Sequence, residues 1–98
     1  MPNNVKMNHV SSDRINKYIG NNKNLLESFN LNYSQDRNML NRLLNETKES
    51  ILLNNSKINL SFGVDRNYYM NKHKVLKSMK KKYLELIIIS RYISRIYT

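Results

Sequence analysis

Six lysines, Lys72, Lys74, Lys77, Lys80, Lys81 and Lys82, fall within eleven positions, and no acid stands between Asp65 and Glu85. An ammonium group is a compact point charge that positions a phosphate without reading a base. Like charges at this density repel one another until a polyanion neutralises them, so the chemistry to expect is phosphate binding. A merely solvated helix face mixes signs at i and i+4, and this stretch does not. Arg66 precedes the cluster, and Arg91 and Arg95 follow it four residues apart, so the candidate phosphate-binding set extends at both ends. Tyr68 and Tyr69 stand just before the lysines, where rings beside cations either stack on bases or pack on a helix face.

Other chemistry has little to work with. The only histidines are His9 and His73, there is no cysteine, and no acid is spaced to complete a metal set with either. Glycine-rich phosphate loops, a Ser-His-Asp order with supporting glycines and a carboxylate pair on a shared apolar face are all missing. Asp36, Glu46 and Glu49 read as solvated helix charges. The expectation is a protein that is not an enzyme and holds no cofactor.

The formal charge of +10 on 98 residues is unevenly placed. Residues 1–49 carry seven Lys/Arg against five Asp/Glu, a net of +2, and residues 50–98 carry ten against two, a net of +8. A basic half is an electrostatic footprint for nucleic acid or an anionic membrane surface. Seventeen residues are Asn, none is Ala, and there are one Pro and two Gly. Asn, Lys, Ile, Tyr and Met have AT-rich codons, so the bias points to an AT-rich genome: an organelle, a virus, or an AT-biased parasite or bacterium. No targeting segment is evident in the polar stretch Met1–Val10. The apolar run Leu86–Ile89 is far too short for a membrane span.

The elements that must position the cations read as mainly α: two main helices, a short extended link and an irregular N-terminal arm. Residues 1–30 form the arm, extended over 1–10, then a short helix capped by Ser11 or Ser12 with Ile15, Tyr18 and Ile19 on one face. Gly20 should stop it, Asn21–Asn24 should loop, and Leu25, Leu26 and Phe29 offer one more turn. Residues 31–98 form a small helical domain. Ser34 should cap its first helix, with Asp36 at the positive end. Met39, Leu40, Leu43, Leu44, Thr47, Ile51 and Leu52 recur at helical spacing. Asn54-Asn55-Ser56 should break that helix, and Ile58, Leu60 and Phe62 alternate as a short strand ending at Gly63. From about Arg66, capped by Asp65, a second helix runs to Ile89 or beyond, with Leu76, Met79, Tyr83, Leu86, Ile93 and Tyr97 on one face and Lys74, Lys77 and Lys81 on another, Lys80 beside them. A chain this short buries only about 60% of its unfolded surface. The aliphatic residues, especially Ile87 to Ile89 and Ile93, exceed what two helices need, and the run Leu84, Leu86, Ile87, Ile88 and Ile89 is the candidate for docking on a neighbouring protein in a large assembly.

Several segments resemble bacterial-type small-subunit ribosomal protein eighteen in its organellar form. Leu31-Asn32-Tyr33 stands where that family has an Ile-Asp-Tyr-like entry to its first helix, and Lys57-Ile58 stands at the step into its extended link. Ser78-Met79-Lys80-Lys81-Lys82 falls at its basic helix core, and Tyr83-Leu84-Glu85-Leu86-Ile87-Ile88 looks like its apolar exit. The family's Arg-rich N-terminal arm has no counterpart, with Lys6 the only cation before Asp13. The resemblance implies a structural, rRNA-binding constituent of the small subunit of a mitochondrial ribosome, acting in translation. It places Lys74, Lys77, Lys80, Lys81 and Lys82 on rRNA, and Leu84, Leu86 and Ile87 against ribosomal protein six. Two other readings fit the same composition. One is an accessory subunit of an organellar respiratory membrane complex, with Lys80–Lys82 at lipid headgroups. The other is a viral nucleic-acid-binding virion protein.

Overall fold

The computed structural model describes residues 12–31 and 33–97, with side chains over 13–31 and 33–93. Among the described residues four helices follow in order: α1 (Ser12–Asn21), α2 (Lys23–Leu26), α3 (Ser34–Leu60) and α4 (Gly63–Tyr97). The chain is mainly helical, with no strand among the described residues. The extended arm expected over residues 1–10, and His9 within it, lie outside the described residues.

The long helices form an antiparallel hairpin. At 27 and 35 residues they run about 40 and 52 Å at ~1.5 Å per residue, and the described residues extend 54 × 29 × 21 Å. Asn54 Nδ2 donates to the Tyr69 carbonyl at 2.8 Å, fixing the register across the hairpin. That register puts Leu40 near Tyr83 and Ser34 near Ile89, so the last turns of α4 pass beyond the start of α3. There α1, α2 and the segment before α3 fill in. Leu31, Leu40, Leu44, Leu86, Ile87 and Ile89 make the core, flanked by Tyr18, Leu25, Leu26, Phe29, Tyr83 and Ile93. Ile15 of α1 is buried too. Toward the link the hairpin interior thins to Thr47, Asn54, Ile58 and Leu76.

Several local expectations are corrected, each for a polar reason. Helix α1 runs past Gly20 to Asn21 and is stopped by Asn22, whose backbone N–H and side-chain Nδ2 both donate to the Tyr18 carbonyl at 3.0 Å. One residue then suffices for the turn into α2, and the longer loop Asn21–Asn24 does not form. Ser34 is the first helical residue and not the cap. Tyr33 holds that position in extended backbone, without a side-chain cap bond. Asp36 instead reaches back, its Oδ2 accepting from the Asn30 N–H at 2.8 Å. Asn54-Asn55-Ser56 does not interrupt α3. Asn54 turns inward to bond across the hairpin, and the Ser56 hydroxyl donates to Leu52 O at 3.3 Å.

The strand expected over Ile58–Phe62 is absent, because Ile58 is buried on α3 while Leu60 and Phe62 are 81% and 83% exposed. The extended link is therefore only Ser61-Phe62, and the step at Lys57-Ile58 on which the family resemblance drew is helical. Gly63 opens α4 with φ +58°, a left-handed conformation that only glycine takes without strain. Helix α4 thus starts ahead of Asp65, which lies in its first turn instead of capping it.

Candidate nucleic-acid interface

All six lysines and Arg66, Arg91 and Arg95 lie on α4. At about 100° per residue, Arg66, Lys74, Lys77, Lys80, Lys81 and Arg91 fall within roughly 60° of one line along the helix. Lys72 and Lys82 fall well away from it, as their helical spacing requires. Arg66, Lys72, Lys74, Lys77, Lys81, Lys82 and Arg91 are exposed, and Lys80 is half-buried. Arg95 continues the line by position, but its side chain lies outside the described residues. None of the six lysines pairs with a carboxylate among the described residues. The core-forming side of α4, carrying Leu86 and Ile89, faces the other way.

The apolar run behind the lysines is used differently from the docking expected of it. Leu86, Ile87 and Ile89 are buried against the chain's own α3 and N-terminal helices, so they are not available to a neighbour. Of the residues packed against them, Tyr18, Leu25, Leu26 and Phe29 come from the segment 1–30 read as an arm, and Leu31 from the first residue after it. Leu84, 39% exposed, and the half-buried Ile88 remain at the surface, in line with the cations.

Glu85 is the residue that sequence reasoning undervalued. It ends the acid-free stretch, yet it is buried, and its Oε1 accepts from Asn22 Nδ2 at 2.9 Å. This bond ties the α1–α2 turn to α4 between sequence positions 63 apart. Asn22 looked like one more product of coding bias, and its burial at 2% exposure gives no local sequence signal.

On one side of that junction is an open cleft of about 430 Å³, lined by Tyr18, Lys77, Lys80, Lys81, Leu84, Glu85 and Ile88. Arg14 stands beside it, its Nε donating to the Tyr18 hydroxyl at 3.1 Å. Arg14 and Tyr18 were not among the expected site residues, because only the packing of α1 on α4 brings them to the lysines. The tyrosine pair divides. Tyr69 is half-buried, with Lys57 Nζ 5.7 Å from its ring centroid and the Tyr68 ring edge-on at 5.2 Å. Tyr68 is exposed.

The arrangement can neutralise a polyanion along one face of a rigid helix. It offers no group of three or more metal-ligating side chains among the described residues. No helix of the described residues is long and apolar enough to cross a membrane. No family model matches the chain, and no curated protein or solved structure matches it.

Proposed function

We propose that this chain is a structural, RNA-binding component of a ribonucleoprotein, acting by neutralising phosphates along α4. The observation that supports this is the stripe of lysines and arginines held outward on one helix with no carboxylate partners for the lysines. Placing phosphates on the stripe releases their counterions, and that release drives binding. The narrower reading, a constituent of the small subunit of a mitochondrial ribosome contacting rRNA and ribosomal protein six, rests on the family resemblance together with the AT-rich coding bias. Docking on a protein neighbour then falls to the link end of the hairpin, where Leu60, Phe62 and Val64 are each more than 80% exposed.

The test is a comparison of the full chain on an RNA fragment and on phosphatidylglycerol vesicles, over a range of salt, with co-sedimentation on mitochondrial small subunits alongside. Tight, steeply salt-dependent RNA binding and co-sedimentation are expected. Binding to vesicles without binding to RNA would replace this reading with the membrane-complex one.

A further inference from the structure

Lys77 and Lys81 share their line on α4 with Leu84 and Ile88, so the cationic stripe is interrupted by an apolar patch before it resumes at Arg91. A continuous duplex backbone gains nothing from such a gap. The gap coincides with the cleft, whose apolar lining is Leu84, Ile88 and the Tyr18 ring, and whose cations are Lys77, Lys80 and Lys81. Arg14, outside the lining, braces the Tyr18 ring, its Nε donating to the hydroxyl and its guanidinium carbon 5.8 Å from the ring centroid. The cleft's volume of about 430 Å³ lies within the ~300–1,000 Å³ usual for small-molecule sites. A planar, largely apolar group flanked by phosphates matches this combination.

We infer that the cleft takes an unpaired base of a single RNA strand, seated against Tyr18, Leu84 and Ile88, while the flanking phosphates lie on Lys77, Lys80 and Lys81. This rests on the RNA-binding reading and adds that the strand is single. A paired base is held in its stack and cannot enter, whereas an unstacked base of any identity can lie against a ring and apolar side chains. The cleft therefore selects strandedness and not sequence. Glu85 also lines the cleft, and its Oε1 is engaged by Asn22.

The experiment uses the full chain and a 12-nucleotide oligouridylate with one central 2-aminopurine, presented as a single strand and as a duplex with its complement, at one salt concentration. A strand of the same length with abasic sugars at all positions is the third ligand. The single strand is expected to bind about tenfold more tightly than the duplex or the abasic strand, with a change in 2-aminopurine fluorescence on binding. The double variant Leu84→Gln, Ile88→Gln should bring single-strand affinity down to the duplex level and leave duplex affinity unchanged. Equal binding of single strand and abasic strand, or tighter binding of duplex, overturns this inference and leaves phosphate binding intact. Failure to bind any of the three overturns both. Because the abasic comparison needs no substitution in the protein, it decides the matter even where the double variant does not fold.

Discussion

Changing Lys77, Lys80 and Lys81 together to Gln tests the stripe directly. Each phosphate neutralised on a single strand contributes about 0.7 to the slope of log affinity against log salt. Six cations lie along the line, so full engagement gives a slope near −4, and the triple variant keeps about half of it. Between 50 and 200 mM salt the unmodified chain should lose affinity by roughly 300-fold and the variant by only about 20-fold. The matched control removes equal charge elsewhere, at Lys48 on α3 and at Lys72 and Lys82 off the stripe, all exposed. Screening over about 10 Å at 0.1 M salt confines their influence, so the control should keep a slope close to the original. Fluorescence anisotropy of a labelled RNA at five salt concentrations reads both slopes, with circular dichroism confirming that each variant is helical. If the two triple variants flatten the slope equally, only net charge matters and the stripe has no role. If the first leaves it unchanged, the lysines do not touch phosphate.

The remaining outcomes concern the scaffold and are read from thermal or urea unfolding. Asn22→Leu strips a buried carboxylate of its hydrogen bond, which is worth about 2 kcal/mol for a charged acceptor and lowers Tm by roughly 8–16 °C in a domain of this size. Combining it with Glu85→Gln should recover part of the loss, and simple additivity would show the two do not interact. The two glycines should respond with opposite signs, since a Cβ at either meets no neighbour within 4 Å and only the backbone decides. Gly63→Ala, at φ +58°, should cost about 1 kcal/mol. Gly20→Ala, inside α1, should gain about 0.5–1 kcal/mol. Leu86→Ala, at 0% exposure, should cost about 2–5 kcal/mol, whereas Phe62→Ser should stay within about 0.5 kcal/mol.

The two long helices were legible because helical spacing of Leu40, Leu44 and Thr47, and of Leu76, Tyr83 and Leu86, survives any coding bias. What misled was local polarity. Asn54-Asn55-Ser56 reads as a break only when each residue is scored alone, and Asn54 earns its helical place through a carbonyl on the other helix. The alternation of Ile58, Leu60 and Phe62 is a real period-two pattern, but with no second strand to pair it loses to continuation of α3. At the site, both the identity of the cations and the grouping of Lys74, Lys77 and Lys81 on one face, with Lys80 beside them, follow from helical spacing. Lys82 adjoins Lys81 in sequence yet stands about 100° around the helix from it. Tyr18 reaches the cleft because α1 folds back on α4; the helical spacing of Ile15, Tyr18 and Ile19 shows that this face packs, and not where.

Burial of Leu86, Ile87 and Ile89 changes what an assembly would recognise. A single segment offering lysines to RNA and isoleucines to a protein needs both partners at the same end of the molecule. The fold takes Leu86, Ile87 and Ile89 of that run for itself, and its most exposed apolar side chains, Leu60, Phe62 and Val64, stand at the link. Val64 and Leu86 are separated by 22 positions, about 33 Å along α4. RNA on Lys74–Lys81, ten or more positions and so about 15 Å or more along α4 from Val64, and a protein at the link would therefore meet only at Arg66, the first governed by salt and the second by apolar area. Polar substitution at Phe62 and Val64 should then weaken retention in a particle while leaving the salt slope on isolated RNA unchanged. Parallel loss of both would mean that the hairpin tip also lies on nucleic acid and that the two surfaces are one.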